Sequence, residues 1–281
     1  MTDELKHEIA RVNGIRLHYV RGGTGEPVLL VHGWPQTWYE WRQVIPRLIA
    51  AGHEVIAVDM RGSGDSDKPA TGYDSNTVAG DLHALVNHLG FERIRVVAHD
   101  NGARVAYAYA ANYRHQVKSL VFMESKILGI ESEDDAEKEY WHFGFHQAPD
   151  LAQQLVTGRE REYLSYFFTT YAYDPRAITA ADLDEFVRCY SAAGGLRAGF
   201  EFYKAFPESA RQSRELAVRK LDIPVMAWGG SHCMGEICLR SMQQVAHHVE
   251  GGVIPECGHW IAEEKPEFIA TEIINFHRKH P

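Results

Sequence analysis

The sequence predicts an α/β fold: a mostly parallel, doubly wound sheet interrupted by a helical insertion. Three observations predict it. Short, continuous β-branched runs alternate with helical patterns through the first 124 residues. That rhythm stops for about ninety residues of helical, aromatic-rich sequence and then resumes. The runs are near-continuous in apolar residues instead of alternating, as expected for strands buried on both faces.

Taken in order, Ile9–Val12 and Ile15–Val20 form a predicted hairpin around Asn13-Gly14, a pair that tolerates positive φ. Pro27–Val31 (PVLLV), Glu54–Val58 (EVIAV) and Ile94–Ala98 (IRVVA) are predicted buried strands. Val78–Leu89 and Val105–Tyr113 carry apolar residues at helical spacing. Ser119–Met123 (SLVFM) is the next strand. From about Ser125 to Glu215 no strand is predicted, and Tyr140, Trp141, Phe143, Phe145, Tyr163, Tyr166, Phe167, Phe168 and Phe202 crowd the segment. Strands return at Ile223–Trp228 and His248–Ile254, followed by a helix over Pro266–Lys279. The expected organisation is a core of residues 1–124 and 216–281 carrying an insertion over 125–215. Core packing accounts for most of the insertion's aromatics. The sharper expectation is a lid lining an apolar pocket over the carboxyl edge of the sheet, where open α/β sheets place ligands.

Composition narrows the partners. The chain has 281 residues, 45% hydrophobic and 24% charged, with a net charge of -9 from 38 acidic and 29 basic residues. Nucleic acid and anionic membrane surfaces repel such a protein, so neither is an expected partner. No stretch approaches the ~20 apolar residues of a membrane helix. Cys189, Cys233, Cys238 and Cys257 form no C-x-x-C pair and match no zinc spacing, and are read as reduced thiols of a cytosolic protein. Met1–Ala10 (MTDELKHEIA) lacks an apolar h-region, so no signal peptide is expected. No metal and no cofactor is called for.

The chemistry-bearing segment follows the strand at Ile94. It reads Ala98-His99-Asp100-Asn101-Gly102-Ala103, with small residues flanking a central polar one. This is the layout of a strand-turn-helix elbow, which projects its central side chain from a strained turn. The helix that follows offers N–H groups and a positive dipole end. Asp100 read alone is as readily a helix cap. Residues downstream shift the balance towards a nucleophile. A carboxylate is ionised at neutral pH and needs no activating base. It attacks sp³ carbon and leaves an alkyl ester on the enzyme; attack on an ester would give an anhydride, so an ordinary esterase is disfavoured.

Such an ester must be cleaved by water, which requires a base, an orienting acid and an oxyanion hole. His259, in Gly258-His259-Trp260 after the last predicted strand, is the candidate base. It is one of 16 histidines, so its position carries the assignment. For the acid there are two candidates: Glu124, which ends the strand after the elbow helix, and Glu236, in the loop from Gly229. Glu124 is favoured, because a carboxylate at the end of a parallel strand points into the site. His32-Gly33-Trp34-Pro35 follows the first parallel strand, and the N–H groups of Trp34 and Asn101 are the expected oxyanion hole. A cis bond is expected before Pro35, and His32 is read as bracing the loop.

HGWP, the Asp59–Pro69 stretch DMRGSGDSDKP, AHDNGA and CGHW together resemble the epoxide hydrolase and dehalogenase branch of the α/β-hydrolases, over nearly the whole chain. Trp141-His142-Phe143, Phe200–Ala205 (FEFYKA) and the acid at Glu124, 24 positions after Asp100, resemble the Cif-like epoxide hydrolases most closely. The resemblance implies hydrolysis of a small-molecule epoxide to a vicinal diol. His142 and Tyr203 would be the lid donors that stabilise the opening ring oxygen, and the chain would form a homodimer. Without it, both side chains read as ordinary lid aromatics. Two features depart from Cif proteins: those are secreted, and they carry HGFG in place of HGWP. Two rival readings stand beside this one. A haloalkane or haloacetate dehalogenase would use the same Asp, His and acid. Haloalkane dehalogenases, however, place Trp where Asn101 stands, and fluoroacetate dehalogenases carry Asp-Arg-x-x-Arg where this chain has Asp100-Asn101-x-x-Arg104. A non-catalytic α/β-hydrolase that binds a ligand would have a damaged catalytic set, and this set is intact.

Overall fold

The structure, a computed structural model, describes residues 5–130 and 140–281. The part of the expected insertion at 131–139 lies outside the described residues. Eight strands form one sheet: β1 (Lys6–Val12), β2 (Ile15–Gly22), β3 (Glu26–Val31), β4 (His53–Val58), β5 (Ile94–His99), β6 (Val117–Met123), β7 (Leu221–Gly230) and β8 (Ala246–Ile254). Their order is β1-β2-β4-β3-β5-β6-β7-β8. The β1–β2 hairpin is antiparallel and β2 pairs antiparallel with β4; every later pairing is parallel. Each predicted strand is present; β2 and β5 start at the predicted residue and the other six start one to three residues earlier, because ends such as Lys6–Glu8 still pair in the ladder.

The continuous apolar runs divide between two cores with a period of two. Leu29 and Val31 of β3, Ile56 and Val58 of β4, and Val96 and Ala98 of β5 face one layer. Val28 and Leu30, Val55 and Ala57, and Val97 face the other. The first layer is covered by α2 (Ser75–His88) and α3 (Asp100–Asn112), the second by α1 (Ile45–Ala50) and α12 (Pro266–Lys279). Burial on both sides is what makes a polar residue in these strands costly, and it accounts for the apolar character of their central residues.

The helix expected at Val105 begins at Asp100. Asn101, Gly102 and Arg104 hide its first turn from a periodicity search. Between β6 and β7 stand six helices among the described residues: α4 (Trp141–His146), α5 (Pro149–Val156), α6 (Glu160–Thr170), α7 (Ala180–Ser191), α8 (Gly195–Lys204) and α9 (Phe206–Ala217). The short helices α10 (Ile237–Val245) and α11 (Ile261–Glu264) lie on either side of β8 in sequence. Among the described residues no helix is long and apolar enough to cross a membrane.

Candidate active site

The carboxyl ends of the parallel strands gather the side chains singled out above. Asp100 follows β5, Glu124 follows β6, Trp34 lies in the loop after β3 and His259 in the loop after β8. Asp100 and Glu124 both adopt φ 49°, a left-handed conformation that costs a non-glycine residue roughly 1–3 kcal/mol. Surrounding packing enforces it. Gly102 passes so close to the HGWP loop that a Cβ there would stand 2.2 Å from the His32 carbonyl oxygen, so only glycine fits. The elbow turns Asp100 away from the helix it begins. Its Oδ1 accepts a hydrogen bond from the Trp34 N–H at 2.9 Å, and the Asn101 amide also bonds this carboxylate. The two N–H groups expected to form an oxyanion hole therefore both bond the Asp100 carboxylate.

His259 faces that carboxylate and Glu124 holds His259. The His259 Nδ1–H donates to Glu124 Oε2 at 2.8 Å, and its Nε2 stands 3.8 Å from Asp100 Oδ2, beyond hydrogen-bond range. The second oxygen of Glu124 accepts the backbone N–H of Gly230 at 2.5 Å and of Met234 at 3.3 Å. Glu236 sits instead at the exposed start of α10, paired with Arg240. His259 is fixed through its backbone as well: its N–H donates to the Tyr171 carbonyl at 2.7 Å. A Cβ at Gly258 would lie 2.3 Å from that same carbonyl oxygen, the physical reason for glycine in CGHW.

Burial works to raise the Asp100 carboxyl. Electrostatic interactions with His259, Arg104 and His99, with the Asn101 amide, outweigh it and hold the carboxyl below its ordinary value. An ionised, poorly solvated carboxylate is a capable nucleophile without any base. Behind it lies a pair that the sequence pattern did not disclose. His99 and Glu40 are each 1% exposed and face one another at 3.2 Å, as an ion pair without hydrogen-bond alignment. Burial opposes charging of His99, but Glu40, Asp100 and Glu124 prevail and raise it to about 9. His99 Nε2 donates to the His259 carbonyl at 2.8 Å, and Glu40 accepts the Gly33 N–H at 3.1 Å. The pair thus ties the elbow, the HGWP loop and the His259 loop together. His32 braces the same loop, donating from Nδ1 to the Gly33 carbonyl and accepting from the Met60 N–H at 3.1 Å. The Trp34–Pro35 bond is cis.

These groups open into a cavity with about 430 Å³ of empty space. Its floor is Asp100, Glu124 and His259; Trp34, Tyr140, Phe143, Phe167, Tyr171, Met234 and Trp260 make the walls. His142 of α4 and Tyr203 of α8 face Asp100 across it, 7% and 2% exposed, with ring centroids 5.7 Å apart. Burial lowers His142 to about 4, so it is a neutral imidazole near neutral pH. Burial first, and then the Asp100 charge, hold the Tyr203 phenol well above its ordinary value. Not every insertion aromatic lines the cavity: Trp141 and Tyr166 are 52% and 44% exposed. Arg104 and Cys233 reach the cavity and were not singled out as site residues from the sequence. Arg104 donates to Asn101 Oδ1 at 2.6 Å. Burial and the neighbouring Glu124 push the Cys233 thiol well up, so it is neutral. No disulfide involves any of the four cysteines.

This geometry has counterparts in known proteins. A family model described as the alpha/beta hydrolase fold matches residues 26–266. The chain is 42% identical to a soluble epoxide hydrolase of Corynebacterium sp. (strain C12), over 98% of each chain. Among solved structures it is similar to an epoxide hydrolase called CorEH, with a TM-score of 0.92 and 40% identity over 98% of this chain and 99% of that one. It is similar also to the Cif epoxide hydrolase from Acinetobacter nosocomialis, with a TM-score of 0.89 and 29% identity over 97% of this chain and 88% of that one. A fold match across most of the sequence and a relative this similar along its full length together mean that the chain belongs to the α/β-hydrolase fold family, in the group that contains the soluble epoxide hydrolases.

Proposed function

We propose that this protein hydrolyses small-molecule epoxides to vicinal diols through an alkyl ester on Asp100. One observation carries the proposal: a carboxylate held ionised, bonded by the Trp34 N–H at Oδ1 and by the Asn101 N–H, while Oδ2 faces His259 and an aromatic-walled cavity.

In the first half-reaction an Asp100 oxygen attacks an epoxide carbon and the C–O bond to the ring oxygen breaks. The charge moves from the carboxylate to that oxygen. Tyr203 and His142 donate hydrogen bonds to it, and Tyr203 is the group that gives up a proton. As Asp100 becomes an ester its charge disappears, and with it part of what holds the Tyr203 phenol protonated. Proton transfer therefore becomes easier as the alkoxide develops. In the second half, His259 Nε2 takes a proton from water, since its Nδ1–H is committed to Glu124. The hydroxide adds to the ester carbonyl, and the Trp34 and Asn101 N–H groups stabilise the oxyanion. The acyl–oxygen bond breaks, the proton of the added hydroxide passes to the departing alkoxide so that the diol leaves and Asp100 is again a carboxylate, and the proton on His259 returns to the Tyr203 phenolate.

Residues 125–215 act in this scheme as a lid that supplies the donors and excludes water; the last helix before β7 runs to Ala217. A cytosolic location, supported by the absence of disulfides, and a homodimeric state belong to the same proposal.

The test is mass spectrometry of His259→Gln incubated with an aryl and an aliphatic epoxide. The Asp100 peptide should gain the mass of one epoxide, and wild-type protein should release diol. No adduct with any epoxide, or halide release from haloalkanes in place of diol formation, would overturn the proposal.

A further inference from the structure

We propose that Glu124, Cys233 and His259 form a binding site for one soft divalent cation, such as Zn²⁺, and that its occupancy blocks ester hydrolysis. The three residues come from three separate strand-end loops, so no local spacing pattern links them.

The ligand atoms are already assembled. One side-chain oxygen, one ring nitrogen and one sulfur lie within 4.8 Å of one another. Two edges of that triangle are 2.8 Å, from His259 Nδ1 to Glu124 Oε2, and 3.8 Å, from Nδ1 to Cys233 Sγ. Bond lengths of about 2.0–2.3 Å in a tetrahedral zinc site place neighbouring ligand atoms roughly 3.3–3.7 Å apart, a range these edges straddle. Small side-chain adjustments would therefore seat the ion. Carboxylate, imidazole and thiolate are also a donor set that zinc favours. All three residues line the cavity, which gives an ion a way in and leaves a fourth position open towards it.

The proton balance states what binding would do. In the resting arrangement Nδ1 of His259 carries the proton and Nε2 the unshared pair. An ion bound at Nδ1 moves that proton to Nε2 and releases the Cys233 thiol proton to solvent. The site then holds a dication, a carboxylate and a thiolate, with no net charge, which suits a buried position. The cost falls on the reaction. Nε2 becomes a donor and has no electron pair with which to deprotonate water. Asp100, Tyr203 and His142 are untouched, so ester formation continues and the enzyme stalls as the ester. The binding stands on the three side chains alone; the stalling rests on the function proposed above.

The experiment titrates metal-free protein with ZnCl₂ by calorimetry and with CoCl₂ by near-ultraviolet absorption, for wild type and Cys233→Ser. Expected for wild type are one ion per chain, a thiolate-to-cobalt charge-transfer band, at least a tenfold fall in diol formation at saturation, and accumulation of the Asp100 ester. Cys233→Ser should bind zinc at least tenfold more weakly, lack the band, and lose less of its own metal-free rate on zinc addition. Wild-type protein that binds cobalt without the band, or equal zinc affinity in the two proteins, would overturn the site. Zinc that slows ester formation as much as hydrolysis would overturn the stalling. If Cys233→Ser fails to fold, the wild-type cobalt spectrum decides alone. Protein that makes no diol even without metal would instead count against the proposed function, and the binding data would still decide the site.

Discussion

Replacing Tyr203 by Phe separates the two half-reactions. Tyr203 is 2% exposed, and its ring packs 5.5 Å from Trp34, 4.4 Å from His146 and 4.9 Å from Phe206, centroid to centroid. Phe keeps every one of those contacts. Among the described residues no protein group accepts a hydrogen bond from the Tyr203 hydroxyl, so its removal orphans no partner, and stability should change by less than about 1 kcal/mol. The effect on the reaction is confined to the ring oxygen of the epoxide. Removing one preorganised donor to a developing oxyanion costs about 2.7–4 kcal/mol, or roughly 10²–10³ in rate. His142 remains as a second donor, so ester formation should slow by about 10²-fold. Hydrolysis of the ester uses the Trp34 and Asn101 N–H groups and His259, so it should change less than about threefold. Rapid-quench single turnovers with enzyme in excess, following the Asp100 adduct and the diol together, read both steps. Equal slowing of the two steps, or undiminished ester formation, would refute the donor role.

Four other outcomes follow from the geometry. Glu40→Gln leaves His99 without its carboxylate in a buried site; it should lower stability by about 1–3 kcal/mol in urea titrations and reduce kcat more than it raises KM, because the elbow and the His259 loop lose a shared anchor. Gly258→Ala drives a Cβ to 2.3 Å from the Tyr171 carbonyl, and the thermal midpoint should fall by an amount equivalent to about 1–3 kcal/mol. Asp100→Asn should abolish ester formation in the same quench assay while the fold, read by circular dichroism, is kept. His277 is buried and its pKa is lowered to about 2, chiefly by burial. The unfolded chain therefore binds its proton first, so this residue's contribution is complete above about pH 6.5 and is lost as pH falls, by about 2 kcal/mol at pH 5. Urea midpoints measured from pH 7 to pH 5 should accordingly fall less in His277→Phe than in wild type.

Two kinds of information met in this protein. The sequence by itself determined the parallel sheet, because strands buried on both faces read as near-continuous apolar runs and the central stretches Val28–Val31, Val55–Val58 and Val96–Ala98 do. It determined the elbow too, since the close pass at Gly102 excludes any side chain and leaves a readable pattern of small residues around Asp100. Sheet order, with β4 between β2 and β3, is a matter of long-range pairing and leaves no local mark. The same holds for the support of the site. Glu124 was separable from Glu236 only by an argument about strand ends, and what holds it are backbone N–H groups of Gly230 and Met234, which carry no side-chain signature. Glu40, His99 and Cys233 read as unremarkable polar residues in the chain. They acquire meaning from facing His259 or its loop, because a charge or thiol is perturbed by neighbours in space and distance along the chain does not encode which neighbours those will be. His142 and Tyr203 stand between the two cases: family resemblance picked them out, and only the packing of α4 and α8 over the sheet brings them across the cavity from Asp100.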